Sequence, residues 1–186
     1  MADPVIKKSG VYQRFNLKEM FGVDVSKTPE LRKAIGQAII DHILERTENG
    51  KAIGGNVDLK SPYSDEYAKS VGFKAAGKSK GDVNMTLNGD MLGLMDIIDE
   101  SPNTITIGWV DEKENLKAYN HNVGDTVPKR PFFGLNKSEI RAIAKKFKPE
   151  VEEVVQEQRR GTPRDEFTER ALKFLDDLEA QDEGIE

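Results

Sequence analysis

The clearest periodicity in the chain begins after Thr28. Leu31, Ala34, Ile35, Ala38, Ile39 and Ile43 recur at spacings of three and four, which places them on one face of a helix. Thr28 suits the N-cap, Pro29 suits the first turn, where a missing N–H costs nothing, and Asn49-Gly50 suits the stop. A helix of about five turns is expected there. Period two takes over later: Val83, Met85 and Leu87 alternate with polar residues, Asn88-Gly89 supplies a turn or helix start, and Met91, Leu94 and Met95 fit one helical turn. Ile97-Ile98 and Thr104 to Val110 read as two strands around a turn at Asp99 to Asn103. Ile105, Ile107 and Trp109 share one face of the second strand and Thr104 and Thr106 the other, the pattern of an antiparallel sheet with one buried face. Leu116 to Asn122 fits a short helix. Asn136 with Glu139 three residues on forms a capping box, and Ile140, Ile143, Ala144, Phe147, Val151, Val154 and Val155 carry the stripe onward. Pro149 interrupts it, so a kink or break is expected near Lys148.

Three stretches carry weaker patterns. In residues 1–25, Val11, Phe15 and Leu17 share a strand parity, while Lys18 to Phe21 fits a helix as well. Gly50 to Gly81 has no periodicity and several glycines, which reads as a long flexible loop. After the polar link Gln156 to Gly161, Thr162-Pro163 opens a further capped helix with Phe167, Ala171, Phe174, Leu175 and Leu178 on one face. The expected organisation is an N-terminal segment (1–27), a domain (28–160) and an acidic helical extension (161–186). The fold class is α+β: a small antiparallel sheet packed by two main amphipathic helices, with the long loop and the C-terminal helix appended.

Composition changes this picture in two ways. With 33% charged and 37% hydrophobic residues in 186, the chain supports a modest core and excludes wholesale disorder. The net charge of −5 is uneven. Residues 161–186 hold Arg164, Arg170 and Lys173 against nine acids, a balance of −6; subtracting this from −5 leaves +1 on the first 160 residues. A near-neutral body is no general nucleic-acid binder. The absence of cysteine removes disulfides, thiolate metal sites and cysteine nucleophiles. No secretory signal is visible at the start, and no run approaches the roughly 18 apolar residues of a membrane span, so a soluble protein is expected.

Candidate chemistry is sparse. His121 has Asp125 four residues on, but a glycine intervenes and no H-x-x-x-H or H-E-x-x-H spacing occurs; it reads as a turn or surface histidine rather than a base. No phosphate-binding glycine motif or nucleophile elbow is present. No enzymatic activity, cofactor or metal is expected. Lys69, Lys74, Lys78 and Lys80, without an acid among them, form a candidate DNA-facing loop, with Tyr67 and Phe73 available to stack on bases; solvated charge is the plainer reading. The remaining feature is the run from His121 to Ile140. Pro128 and Pro131 fix φ twice and bias Val127 and Arg130 toward extended backbone. In an extended segment Phe132 and Phe133 point oppositely, so one is expected to fill the core while the other, with Arg130, faces outward. Trp109, Pro128, Arg130, Pro131, Phe132 and Phe133, with Phe167, Phe174 and Leu178 of the extension, are therefore the candidate interface residues. Packing within the domain is the alternative.

At these residues a resemblance enters. Tyr119-Asn120-His121-Asn122-Val123-Gly124 followed by Val127-Pro128-Lys129-Arg130-Pro131-Phe132-Phe133-Gly134-Leu135 resembles the His-x-x-Gly … Pro-x-Arg-x-Phe-hydrophobic-Gly-Leu signature of phage virion morphogenesis proteins, the tail-completion and neck proteins of tailed bacteriophages. Leu87-Asn88-Gly89-Asp90-Met91-Leu92 is similar to that family's Leu-Thr-Gly-x-Leu segment, with Asn88 in place of threonine. Ser61, Tyr63, Tyr67 and Lys69 resemble its Ser/Tyr/Lys-rich loop, and Ile105 to Gly108 its strand. The similarity covers roughly residues 28–148. It implies a virion structural protein at the head–tail junction, without catalytic residues, assembled as a hexameric or dodecameric ring. The implied partners are connector or portal-side neck proteins, the tail terminator or tail tube, and genomic DNA in the lumen; no membrane is implied.

Overall fold

In the computed structural model, residues 3–59, 62–85 and 90–161 are described, with side chains as far as 156 in the last helix. Two hairpins make the sheet. Strand β1 (Val5–Lys7) pairs with β2 (Gly10–Asn16), and β3 (Asp96–Ser101) pairs with β4 (Thr104–Gly108). β2 joins β4, giving a four-stranded antiparallel sheet in the order β1-β2-β4-β3. The fold is α+β, as the periodicities imply.

The register explains the core. Gln13 lies opposite Ile107 and Phe15 opposite Ile105, so these residues and Val11 line one face, all of them buried. Tyr12, Arg14 and Asn16 alternate to the other side. Residues 5–16 thus supply half the sheet, and a boundary after residue 27 does not separate an appendage from a domain. The parity of β2 is blurred in sequence because polar Gln13 faces inward while aromatic Tyr12 faces outward. The helical alternative for Lys18 to Phe21 also holds: α1 (Leu17–Phe21) follows β2 directly, capped by Asn16 and ended by Gly22 at φ 67°.

Helix α2 (Pro29–Glu48) crosses the inner face. A Cβ at Gly36 would run into Ile97, so the helix axis lies close to the sheet at that point. Thr28 occupies the cap position but makes no side-chain cap bond; its hydroxyl donates to Val25 O at 3.0 Å. The buried face holds Ile35, Ile39, Ile40 and Ile43, and also Arg32 and Arg46, while Ala34 is exposed. The stripe is therefore rotated from the one expected, and it ends in an arginine at each side. Arg32 donates to Glu100 Oε1 (2.8 Å), to Val25 O and to Ser26 O, which ties the loop before α2 to β3.

The hairpin turn is tighter than expected, because β3 runs through Asp99 to Ser101 and leaves only Pro102-Asn103 as the bend. A bulge between Ile97 and Asp99 absorbs the extra residue. The stretch from Gly50 to Gly81 is not structureless. It contains α3 (Asp65–Lys69) and α4 (Val71–Ala75), capped by Ser64 and Ser70, with buried Phe73 packed edge-on to Tyr63 and Tyr67. Five-residue helices are too short to show a period, which is why the sequence reads as loop. Next come α5 (Asp90–Gly93), α6 (Glu112–Val123), α7 (Lys137–Lys146) and α8 (Lys148–Gly161). The break at Phe147 falls where Pro149 requires it, and α8 continues through Gln156 to Gly161, so that stretch is helical rather than a link. Phe167, Phe174, Leu178 and the expected C-terminal helix lie outside the described residues, as do residues 86–89 of the family-like segment.

Deleting residues 1–16 would strip β1 and β2 from Ile105 and Ile107, both wholly buried. Loss of a cooperative urea transition by circular dichroism is the expected result. A sharp transition surviving in that deletion would mean that residues 28–160 fold alone.

Candidate functional site: the proline-clamped aromatic corner

The corner is positioned by the end of α6. Asp111 starts that helix by accepting from Glu114 N (2.9 Å), and Gly124 ends it in the left-handed region at φ 82°, returning its N–H to Asn120 O. His121 and Asn122 occupy the last turn. The chain then doubles back until Arg130 N donates to His121 O at 2.6 Å. From there residues 130–136 adopt no regular structure, yet Arg130, Phe132, Phe133, Gly134 and Leu135 are all buried.

A buried irregular segment must place its backbone polar groups elsewhere. Here five different elements receive them. Pro131 O accepts from Ile53 N in the loop after α2 (3.2 Å). Phe132 O and Gly134 O both accept from Arg46 Nη2, the latter at 3.0 Å. Phe133 N donates to Asn122 Oδ1 of α6 (3.2 Å). Leu135 N donates to Gln13 Oε1 of β2 (2.9 Å), and Gln13 Nε2 returns a bond to Leu135 O. Asn136 N donates to Glu139 Oε2 of α7 (2.9 Å), completing the capping box. Gly134 at φ 115° is a conformation that side chains oppose, and a Cβ there would lie 2.8 Å from Pro4 Cγ.

The rings fill the space inside this frame. Trp109 meets Phe133 with centroids 4.9 Å apart and Phe132 at 6.1 Å, both steeply inclined, and its indole N–H donates to Met91 O (2.6 Å). Arg130 spans the other side: its guanidinium lies 5.0 Å over the Tyr63 ring and donates to Pro62 O (3.1 Å).

The charged groups follow the same logic. Arg46 bonds Glu139 Oε1, and His42 Nε2 lies 3.2 Å from that same oxygen. Burial pushes the Glu139 carboxyl up, but the Asn136 N–H, Arg46 and His42 outweigh it and hold the group below the ordinary carboxylate value. His121 moves further: burial, helped by the positive charge of Arg130, pushes it down to about 4. Its Nδ1 lies 3.5 Å from Arg130 Nη1. A histidine so placed is neutral at pH 7 and too weak a base for proton abstraction there.

The candidate interface residues therefore need correcting. Phe132 and Phe133 are both fully buried, so neither ring faces outward, because a turn at Gly134 and the Arg46 bonds replace the extended geometry that would have splayed them. Trp109 (5% exposed) and Arg130 (2%) are likewise interior. Of the candidate interface residues in the corner, Pro128 is exposed and Pro131 half-buried. In the lysine loop, Lys80 pairs with Asp65 (2.6 Å) and Lys78 bonds Asn84 Oδ1, while Lys69 and Lys74 are exposed on α3 and α4. Burial holds the Lys78 ammonium below its usual value. Of the residues that organise the site, Glu139 is legible as the capping-box partner of Asn136, whereas Arg46, Gln13 and Asn122 are not identified from the sequence as site residues. One signal was available: Arg32 and Arg46 stand three residues outside Ile35 and Ile43, in phase with the buried stripe.

Among the described residues no cluster of three or more His, Asp or Glu side chains is placed to hold a metal ion, and no helix is long and apolar enough to cross a membrane. No family model, curated protein or solved structure matches the chain.

Three outcomes are expected. Arg46→Met leaves Glu139 buried without its partner and strips two carbonyls, for a loss of about 3–5 kcal/mol in urea denaturation; adding Glu139→Gln should recover part of it, and simple additivity would show the pair uncoupled. Gly134→Ala should cost at least about 1–3 kcal/mol from backbone strain alone. For His121 the unfolded chain takes up its proton near pH 6.5 and the folded chain only near 4, so between these values the unfolded state binds more protons. Stability contributed by keeping the ring neutral is complete above about pH 6.5 and falls toward pH 4, by at most about 3 kcal/mol. Chemical denaturation across pH 4.5–7.5 should show this slope flattened in His121→Phe.

Proposed function

We propose that the chain is a structural component of a tailed-phage virion, acting at the head–tail junction in neck formation or tail completion and assembling there as a ring. One observation carries the reading. Two of the stretches that resemble the virion morphogenesis family are far apart in sequence but meet in space: the Arg130 guanidinium lies over the Tyr63 ring, which packs on Tyr67, while within the longer stretch His121 and Asn122 bond Arg130 and Phe133. Residues that give a family its signature through packing are expected to touch one another in this way.

On this reading the protein's work is shape and assembly, with no bond-making step assigned to it. Its neighbours would be further copies of itself, connector-side neck proteins and the tail terminator or tube. Because Trp109, Phe132 and Phe133 are interior, contacts between copies fall to other surfaces, including Val71 and Val110, which are 86% and 80% exposed. The alternative of a DNA-facing loop is weakened by the partners of Lys78 and Lys80.

Electron microscopy and sedimentation of the purified protein, alone and with connector components, test the proposal. Closed rings or ring-bound copies are expected, since a head-to-tail interface must close to avoid filaments. A protein that stays monomeric with its components and is missing from the assembled particle would sink it.

A further inference from the structure

Among the described residues the sheet ends in two open edges. β1 pairs only with β2 and β3 only with β4, so each has one side with no strand beside it. Both hairpins have two-residue loops, Lys8-Ser9 and Pro102-Asn103, and such a loop is closed by a pair that exchanges both ladder bonds. Bonded and non-bonded pairs alternate from there. Lys7 and Gly10 form the bonded pair, so Ile6, opposite Val11, turns its N–H and C=O to the free edge. Val11 N agrees with this parity by donating to Asn115 Oδ1 instead of to β1. In β3 the same alternation leaves Ile97, opposite Ile107, with its backbone groups turned to the free edge. Its N–H meets Asp96 Oδ1 of the adjacent residue at 2.7 Å, outside the ladder.

The two edges match in direction, face and charge. Three antiparallel steps separate β1 from β3, so the two strands run oppositely, and a second copy in the same orientation would set them antiparallel. Ile6 and Ile97 both pack toward the core face. Opposing them as a bonded pair puts Lys7 opposite Asp96 and Val5 opposite Ile98 on the outer face. Ile6 then also lies along the groove that Ala34 of α2 forms with Ile97. Like edges fit worse: β3 against a second β3 gathers Asp96 and Asp99 of both copies with no cation on either strand. We propose that β1 of one copy pairs antiparallel with β3 of the next, Ile6 opposite Ile97 and Lys7 opposite Asp96, so that the sheet continues from subunit to subunit. Pairing hands the Ile97 N–H to the Ile6 carbonyl and releases Asp96 toward Lys7. The contact is head-to-tail, and it rests on the ring reading above for its closure.

Disulfide trapping tests the register, because the chain has no cysteine of its own. Lys7 and Asp96 are exposed, so full-length Lys7→Cys/Asp96→Cys should keep the parent's urea transition. Within one chain the two positions stand at opposite edges of the sheet, at least about 14 Å apart and beyond disulfide reach. Across the junction they form a non-bonded pair with Cα atoms about 4.5 Å apart, within reach. On oxidation this variant should give a ladder of covalent multimers, several-fold stronger than Lys7→Cys/Ser101→Cys, whose thiols lie out of register. Equal trapping in both, or none in either, would overturn the pairing. So would a disulfide dimer of either single variant at that yield, which would mean that like edges meet. Electron microscopy of the same samples separates this proposal from the ring reading. Closed rings without the register-specific disulfide overturn the pairing alone. The disulfide in open filaments upholds the pairing and removes the ring, and monomers throughout, with connector components present, remove both.

Discussion

The grip of the Arg46 guanidinium on the backbone of the Phe-Phe-Gly corner is the contact on which the other elements depend. Residues 130–136 are buried without belonging to a strand or helix, so their carbonyls lack the ladder partners that regular structure provides. An unmet buried acceptor costs roughly 1–3 kcal/mol. One side chain from α2 answers two of them and, through Glu139, reaches the cap of α7 as well. Its charge is tolerable in the interior only because Glu139 neutralises it, and Glu139 stays ionised only because Arg46, His42 and the Asn136 N–H offset its burial. Helix, corner and helix are thus fixed by one mutual requirement.

The remaining bonds of the corner extend this requirement across the sequence. Gln13 lies 122 positions from Leu135, Arg46 lies 86 from Phe132, and Asn122 only 11 from Phe133. The first hairpin, the long helix and the last turn of α6 must all be in place before the corner is satisfied. A segment so held has little freedom left, and the geometry around Trp109 and Tyr63 is accordingly set by the fold rather than by a ligand.

What the sequence made legible was whatever had a local cause. The capping box at Asn136, the break imposed by Pro149 and the strand pairing around Pro102-Asn103 all follow from neighbours within a few residues. The burial of both phenylalanines does not, because it depends on Arg46, which arrives from a remote helix. β2 was obscured for a related reason: Gln13 looks like a solvent position until its partner at Leu135 is known. The helices at 65–69 and 71–75 were missed because one turn has no period, although Ser64 and Ser70 do cap them. His121, expected on a turn or at the surface, lies instead in the last turn of α6, half-buried beside Arg130.

These placements bear on what the corner offers chemically. A group that binds or transforms a ligand needs bonding capacity directed into open space. In the corner, Arg46, Glu139, Gln13 and Asn122 direct theirs to backbone and to one another, and His121 is held neutral against a cation. Polarity inside this molecule is therefore used to make an irregular segment rigid. Polarity on the described surface is unevenly distributed, with Lys137, Arg141, Lys145 and Lys146 gathered on the exposed side of α7. An interior that fixes its shape in this way holds the surface charges in set positions relative to one another, which is the condition for telling neighbours apart by like and opposite charge.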